Sequence, residues 1–403
     1  MITSIQWIVM WVLLSLNFGY LGYYFFDFDR SVSNLFVVFV SLVLLCSLYA
    51  YKAGKIKWLN GNLSRILFII LFMLILNSIF QSYIRFPIIS LFPTLNRLLL
   101  VVFLGYYGFI LGRLYGDKVL RLFDRYLFLW VFFLFVISCY QIYASDLIYK
   151  NGAHRLSSIY GEYVTGLALM SAVIFIFSFY RFRQGVHYHL ITLILSLFLM
   201  FGTQSRLSVV SVVISISFAN IMSSKKLVHV LQYVLVGAVF MSVLFFIVMN
   251  TSIAERLKST YENGLTDNSI IHRYEAWESS ISSMSNSELF TGVGLGGFNL
   301  HYYEASGILG MAAHNDYVQL FVETGVIGLL FYMMLQISII FKLRSIALSS
   351  ESLRSISALS LAVFTNGFIF ASLHNPFYYP ESLALSASMV GLCFGISRLR
   401  TVN

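Results

Sequence analysis

The chain has 403 residues, of which 59% are hydrophobic and 11% charged, with four prolines and a mean hydropathy of +0.82. A soluble fold of this length would carry charge at about a quarter of its positions, so soluble enzyme folds are excluded and a polytopic membrane protein is implied. The formal charge of +9 does not call for nucleic acid, because the basic residues follow membrane topology. The three cysteines, Cys46, Cys139 and Cys393, lie in apolar runs without C-x-x-C or Cys/His spacing, which supports neither a disulfide framework nor a zinc site.

A helix needs about 17 to 25 apolar residues to cross the roughly 30 Å of hydrocarbon. Twelve stretches meet that requirement, near 5–26, 32–51, 66–84, 98–112, 126–145, 163–180, 188–203, 207–222, 228–249, 317–341, 355–373 and 382–397. The first has neither a basic leader nor a small-residue cleavage site and reads as a retained helix. No internal repeat, Pro-rich linker or low-complexity tail interrupts the pattern. The expected architecture is all-α, a single membrane domain over 1–403 with about twelve transmembrane helices.

If both termini are cytoplasmic, 17 of the 26 Lys and Arg fall on the inner side, as the positive-inside rule requires. The pI is then a consequence of topology and needs no nucleic-acid partner. Residues 251–316 form one large outer loop between helices 9 and 10. The loop holds Arg256, Lys258 and Arg273 against eight carboxylates.

Ionisable groups near the hydrocarbon are costly and point to function. Arg206, in TQSRLSVV, sits between two helices joined by almost no loop. It is either a snorkelling interfacial arginine or part of an anion site. Arg273 lies in IIHRYEAWESSISSM, where Ile270, Tyr274, Trp277, Ile281 and Met284 recur at helical spacing. An amphipathic helix on the outer membrane surface would hold that guanidinium at headgroup level; a solvated surface arginine is the bland reading of the same pattern.

His314 ends the outer loop in AAHNDYVQLFVETGVIG, with Asn315 or Asp316 available as N-cap. The positive end of the following helix disfavours imidazolium and keeps the ring neutral. On a continuous helix Glu323, nine residues on at about 100° each, falls on the opposite face, whereas Tyr317 shares the face of His314. His374, in SLHNPFYYPE, is a second outer histidine in a turn stiffened by Pro376 and Pro380, and a structural role suits it.

Two motifs are discounted. Gly292, Gly294 and Gly297 satisfy G-x-G-x-x-G without a strand before them or a βαβ unit after, and read as a flexible tight turn. Asp27 and Asp29 form one D-x-D in a short loop, a weak signal for a metal.

One neutral imidazole and two permanent cations at the outer face suit a lipid-tailed substrate with a phosphate-rich head, such as a polyprenyl-pyrophosphate-linked sugar. The planar guanidinium binds phosphate oxygens bidentately and does not lose its proton. The imidazole would take the proton of an acceptor hydroxyl. Pyrophosphate leaves readily, so neither metal nor cofactor is required.

The run from RYEAW through FTGVGLGGF to HNDYVQLFVETGVIG, preceded by TQSR, resembles the O-antigen polymerase and O-antigen ligase superfamily of bacterial envelope enzymes. RLSSIYGEY, with Arg155, is a weaker match. The resemblance implies a GT-C-like bundle in the inner membrane, with the active site facing the periplasm. It also implies metal-independent, inverting glycan transfer from undecaprenyl pyrophosphate.

Carried onto this sequence, His314 is the catalytic histidine, and Arg206 and Arg273 handle the pyrophosphate. Arg155 and Tyr317 would bind substrate, with Glu323, Asn315 and His374 in supporting roles. The acceptor would be a lipid-linked glycan for a polymerase or lipid A core for a ligase, and a chain-length regulator is a further partner of such enzymes. The acidic outer loop is awkward for a phosphorylated lipid A core and favours polymerase. A twelve-helix transporter or flippase competes with both, but the dissimilar halves and the polar residues crowded on one membrane face argue against it. A metal-dependent glycosyltransferase using Asp29 is weaker still.

Overall fold

The computed structural model describes residues 91–150, 153–160, 164–224, 268–308, 312–374 and 380–402. The expected spans at 5–26, 32–51, 66–84 and 228–249, and the Asp27/Asp29 pair, lie outside the described residues. The other eight expected spans are helices, in chain order α1 (Leu91–Tyr115), α2 (Lys118–Tyr143), α3 (Val164–Arg183), α4 (His189–Gly202), α5 (Arg206–Ser223), α9 (Asp316–Ser349), α10 (Glu351–Leu373) and α11 (Pro380–Val402). Among them α2, α3, α9 and α10 are long and apolar enough to cross a membrane. Among the described residues of the expected outer loop the chain forms three helices, α6 (Asn268–Ser282), α7 (Asn286–Thr291) and α8 (Phe298–Ser306).

Burial separates the spans into interior and peripheral helices. Of the apolar window of α3, 83% is buried, against 17% for α9, so α3 is surrounded by protein and α9 lies at the surface of the bundle. α10 is central, packing on α3, α5, α9 and α11. Its serines allow the approach: Ser357 Oγ donates to Leu343 O at 2.5 Å and Ser360 Oγ to Met389 O at 2.9 Å. Small hydroxyl residues take this place because apolar burial gives no preference between lipid and protein inside a membrane.

The tightest pair, α1 with α11, was not expected from the hydropathy pattern. Gly108 and Gly112 of α1 form one G-x-x-x-G, and Gly391 and Gly395 of α11 form another. A Cβ on Gly391 would collide with Gly105 O, and one on Gly395 with Phe109 O. A Cβ on Gly108 would meet Ser388 O, and one on Gly112 Leu392 O. The contacts advance together along both chains, so the helices run parallel. Their last turns meet at one end, where Arg400 pairs with Asp117 of the following corner at 2.6 Å.

That same end holds a buried ionic cluster. Arg181 of α3 donates through Nε and Nη2 to the two oxygens of Asp124 of α2, at 2.7 and 2.6 Å. His189, the first residue of α4, stands 3.1 Å from Asp124 Oδ1. A buried carboxylate with both oxygens occupied in this way clamps three helices at one point.

At the far end of α2 the chain turns through a β-hairpin that the all-α expectation did not contain. Strands β1 (Ile148–Lys150) and β2 (Ala153–Arg155) pair antiparallel, with Ile148 opposite Arg155. Gln141 fixes the return: its Oε1 accepts from Ser158 N at 2.8 Å and its Nε2 donates to Ser158 O at 3.1 Å.

A second apolar cluster, of Ala276, Met284, Val293, Phe298, Tyr302, Ala313 and Val322, is separate from the core of the bundle. It joins α6 and α8 to the start of α9.

Candidate functional site

The site is assembled where the hairpin, the α4/α5 corner, the α6 to α8 segment and the α9 and α10 ends meet. Leu156 N donates to Gly202 O at 2.9 Å, and Gln204 Nε2 to His154 O at 3.1 Å. These bonds lay the chain beside Arg155 against the corner whose next helix opens with Arg206. The corner is tight: Gln204 has φ +52, Thr203 Oγ1 donates to Met200 O at 2.7 Å, and Ser205 is the N-cap of α5.

Arg273 is half-buried on α6, where Ala276 and Ser280 share its side of the helix and are fully buried. Of the expected stripe, Met284 is buried and Ile281 packs beside it, Tyr274 is 56% exposed, and the fully buried line of α6 runs through small residues. Serine and alanine do not register in a hydrophobic pattern, yet they let α8 approach. His301 Nε2 of α8 lies 2.8 Å from Ser280 O and 3.0 Å from Ser283 Oγ. One turn after Arg273, Trp277 Nε1 donates to Ala313 O at 2.6 Å.

His314 therefore follows a pinned carbonyl, and it precedes a pinned cap. Asn315 Oδ1 accepts from Tyr317 N at 2.9 Å and Val318 N at 3.2 Å, closing the first turn of α9. His314 itself has φ +51, a left-handed conformation uncommon for a residue with a side chain. The phase argument that set Glu323 opposite and Tyr317 beside it does not apply, because His314 lies outside the helix. Tyr317 packs edge-on against Phe368, with ring centroids 5.5 Å apart, and its hydroxyl donates to Phe368 O at 3.1 Å. Its side chain thus ties α9 to α10.

Glu323 is buried and accepts from Gln319 Nε2 at 2.9 Å. Its helix is not continuous, for Gly325 breaks it with φ 65 and ψ −174. The break frees carbonyls that the glycine-rich turn fills: Val293 N donates to Val322 O and Gly294 N to Glu323 O, both at 2.9 Å. The turn expected to be flexible is a docked one, in which Gly292 and Gly294 have φ +76 and +108. ETG and TGVG are two halves of one backbone joint, and its effect is to fix the short segment that starts at His314.

His374, the C-cap of α10, is half-buried, and its N–H bonds Phe370 O at 2.8 Å. Burial, and then the positive potential of Arg273, His314 and Arg155, push its proton affinity down to about 3. Three of the expected site residues, from three separate segments, thus act on one imidazole. His374 was expected in a structural and supporting role; its histidine–proline sequence does not by itself specify these neighbours. Among the described residues the arrangement gathers two imidazoles, that of His374 held neutral, beside fixed guanidinium groups, a setting that favours an anion.

No curated protein matches this chain. Residues 191–333, the stretch that contains Arg206, Arg273 and His314, match the family model described as O-antigen ligase, and that match supports a place for this chain in the O-antigen polymerase and ligase superfamily of bacterial envelope enzymes.

Proposed function

We propose that the chain is an O-antigen polymerase of the inner membrane that works at the periplasmic face. It transfers a glycan from an undecaprenyl-pyrophosphate-linked donor to a sugar hydroxyl of a lipid-linked repeat unit. The observation that carries this reading is the common electrostatic neighbourhood of Arg155, Arg273, His314 and His374, with the backbone of Arg206 at the adjoining corner.

His314 takes the acceptor proton as the hydroxyl oxygen attacks the anomeric carbon. The bond to pyrophosphate breaks in the same displacement, so the configuration inverts. Arg206 and Arg273 hold the charge that grows on the departing pyrophosphate, where such contacts count most. No metal takes part in this scheme.

A ligase that delivers the glycan to lipid A core is the second reading, and the description of the matched family favours it. The carboxylate excess of 251–316 weighs toward polymerase. Reconstitution with a lipid-linked repeat unit, with and without lipid A core, separates the two on a gel. A ladder on the polyprenyl carrier supports polymerase, product on lipid A supports ligase, and no product in either lane rejects both.

A further inference from the structure

A groove of about 410 Å³ lies between α2 and the start of α4, at the end of the bundle opposite His314, and is lined by Arg125, Phe128, Leu129, Tyr188 and Ile191. Gln141, which holds the hairpin end, is sixteen residues along α2 from Arg125, about 24 Å at the helical rise. The groove therefore opens to the leaflet away from the candidate site.

The surface around it changes character along one face of α2. Lys118, Arg121 and Arg125, at spacings of three and four, are all exposed. Leu129, Phe132 and Val136 continue the same face and are exposed as well. The nearby carboxylates are engaged elsewhere: Asp124 is turned inward to Arg181 and His189, and Asp117 pairs with Arg400. Among the described residues none of the three cations on this face makes an ion pair. The ring of Phe128 meets Tyr188 edge-on, at 5.9 Å between centroids, and closes the wall between the two helices. Uncompensated positive charge above an apolar slot, in line with the exposed Leu129, Phe132 and Val136, is complementary to an anionic headgroup with an acyl chain below it.

We propose that this groove is a binding site for an anionic glycerophospholipid, with the phosphate on Arg125 and an acyl chain along Leu129 and Ile191. A polyprenyl carrier has the same phosphate chemistry, but its pyrophosphate would be required at the opposite end of the bundle.

The test uses the full chain purified in detergent, incubated with phosphatidylglycerol or phosphatidylcholine and read by native mass spectrometry. Wild type should retain phosphatidylglycerol at least fivefold more than phosphatidylcholine. Arg125→Gln should abolish that preference, and Lys342→Gln, at an exposed site on α9, should keep it. If Arg125→Gln does not fold, Leu129→Trp reports instead, with brominated phosphatidylglycerol quenching its fluorescence more than brominated phosphatidylcholine. The proposal is overturned by a preference that survives Arg125→Gln or by equal quenching by the two lipids. It is overturned too by undecaprenyl phosphate displacing phosphatidylglycerol, or by protection of the groove by another segment of the chain or a second copy.

Discussion

Gly292 and Gly325 each occupy space that the other's neighbours leave open. A Cβ on Gly292 would collide with the backbone of Glu323 and Thr324, and one on Gly325 with that of Phe290 and Thr291. Both have positive φ, 76 and 65. Alanine at either position meets backbone that cannot swing away and a conformation it disfavours, at a cost of about 1 to 3 kcal/mol for the strain alone. Gly325→Ala and Gly292→Ala should each lower the melting temperature in detergent and abolish transfer. Wild-type melting and activity in either variant would mean that the joint is not needed.

His314 is tested best by asparagine, which tolerates the left-handed backbone that alanine resists. His314→Asn should melt like wild type and lose about 10² to 10⁴ in rate, the range of a general base. A rate within tenfold of wild type would remove the imidazole from the chemistry.

For Arg273 the informative change is lysine, which keeps the charge and loses the planar fork. Transfer by Arg273→Lys should fall by at least tenfold, and raising donor concentration should not restore it if the guanidinium acts on the departing pyrophosphate. Recovery at high donor would reduce its part to ground-state binding.

Trp277→Phe removes one N–H and leaves Ala313 O without its donor. The net worth of such a bond is about 1 kcal/mol, so a small drop in melting temperature is expected. The larger effect should be on turnover, because the bond fixes the residue before His314. Equal losses in the Trp277→Phe and Trp277→Leu proteins, in both readouts, are expected if the N–H rather than the ring sets that position.

His374 makes stability depend on pH. Its folded proton affinity is pushed down to about 3, whereas a free imidazole titrates near 6.5. Below about 6.5 the unfolded chain binds a proton that the folded chain refuses, so stability falls as the pH drops from about 6.5 toward about 3, and is fully retained above about 6.5. Melting temperatures from pH 7.5 to 5.0 should decline in wild type and decline less in His374→Gln.

Much of the helical framework was legible because an apolar run long enough to span a bilayer has few other uses. The runs near 126–145, 163–180 and 355–373 correspond to α2, α3 and α10. The lateral order was not legible, since apolar side chains gain nothing by choosing protein over lipid and leave no pattern for the neighbour. Gly391 and Gly395 were the available signal for α11 against α1, and only the spacing of small residues carries it. At the site, His314, Arg206 and Arg273 were picked out by charge in an apolar setting. The break at Gly325 was hidden because a glycine inside a helical pattern is often tolerated. Asn315 was legible as a cap after His314, but the left-handed backbone of His314 was hidden, because it depends on Trp277 and Asn315 acting from either side.

The parallel glycine seam between α1 and α11 also sets an order of events during biosynthesis. α1 is made long before its partner exists, and until α11 is synthesised its glycine face lacks the surface on which it docks. The last described helix therefore acts as the closing stave of the bundle. A ribosome that stalls before it would leave an open, protease-sensitive assembly, however well the intervening helices had already formed.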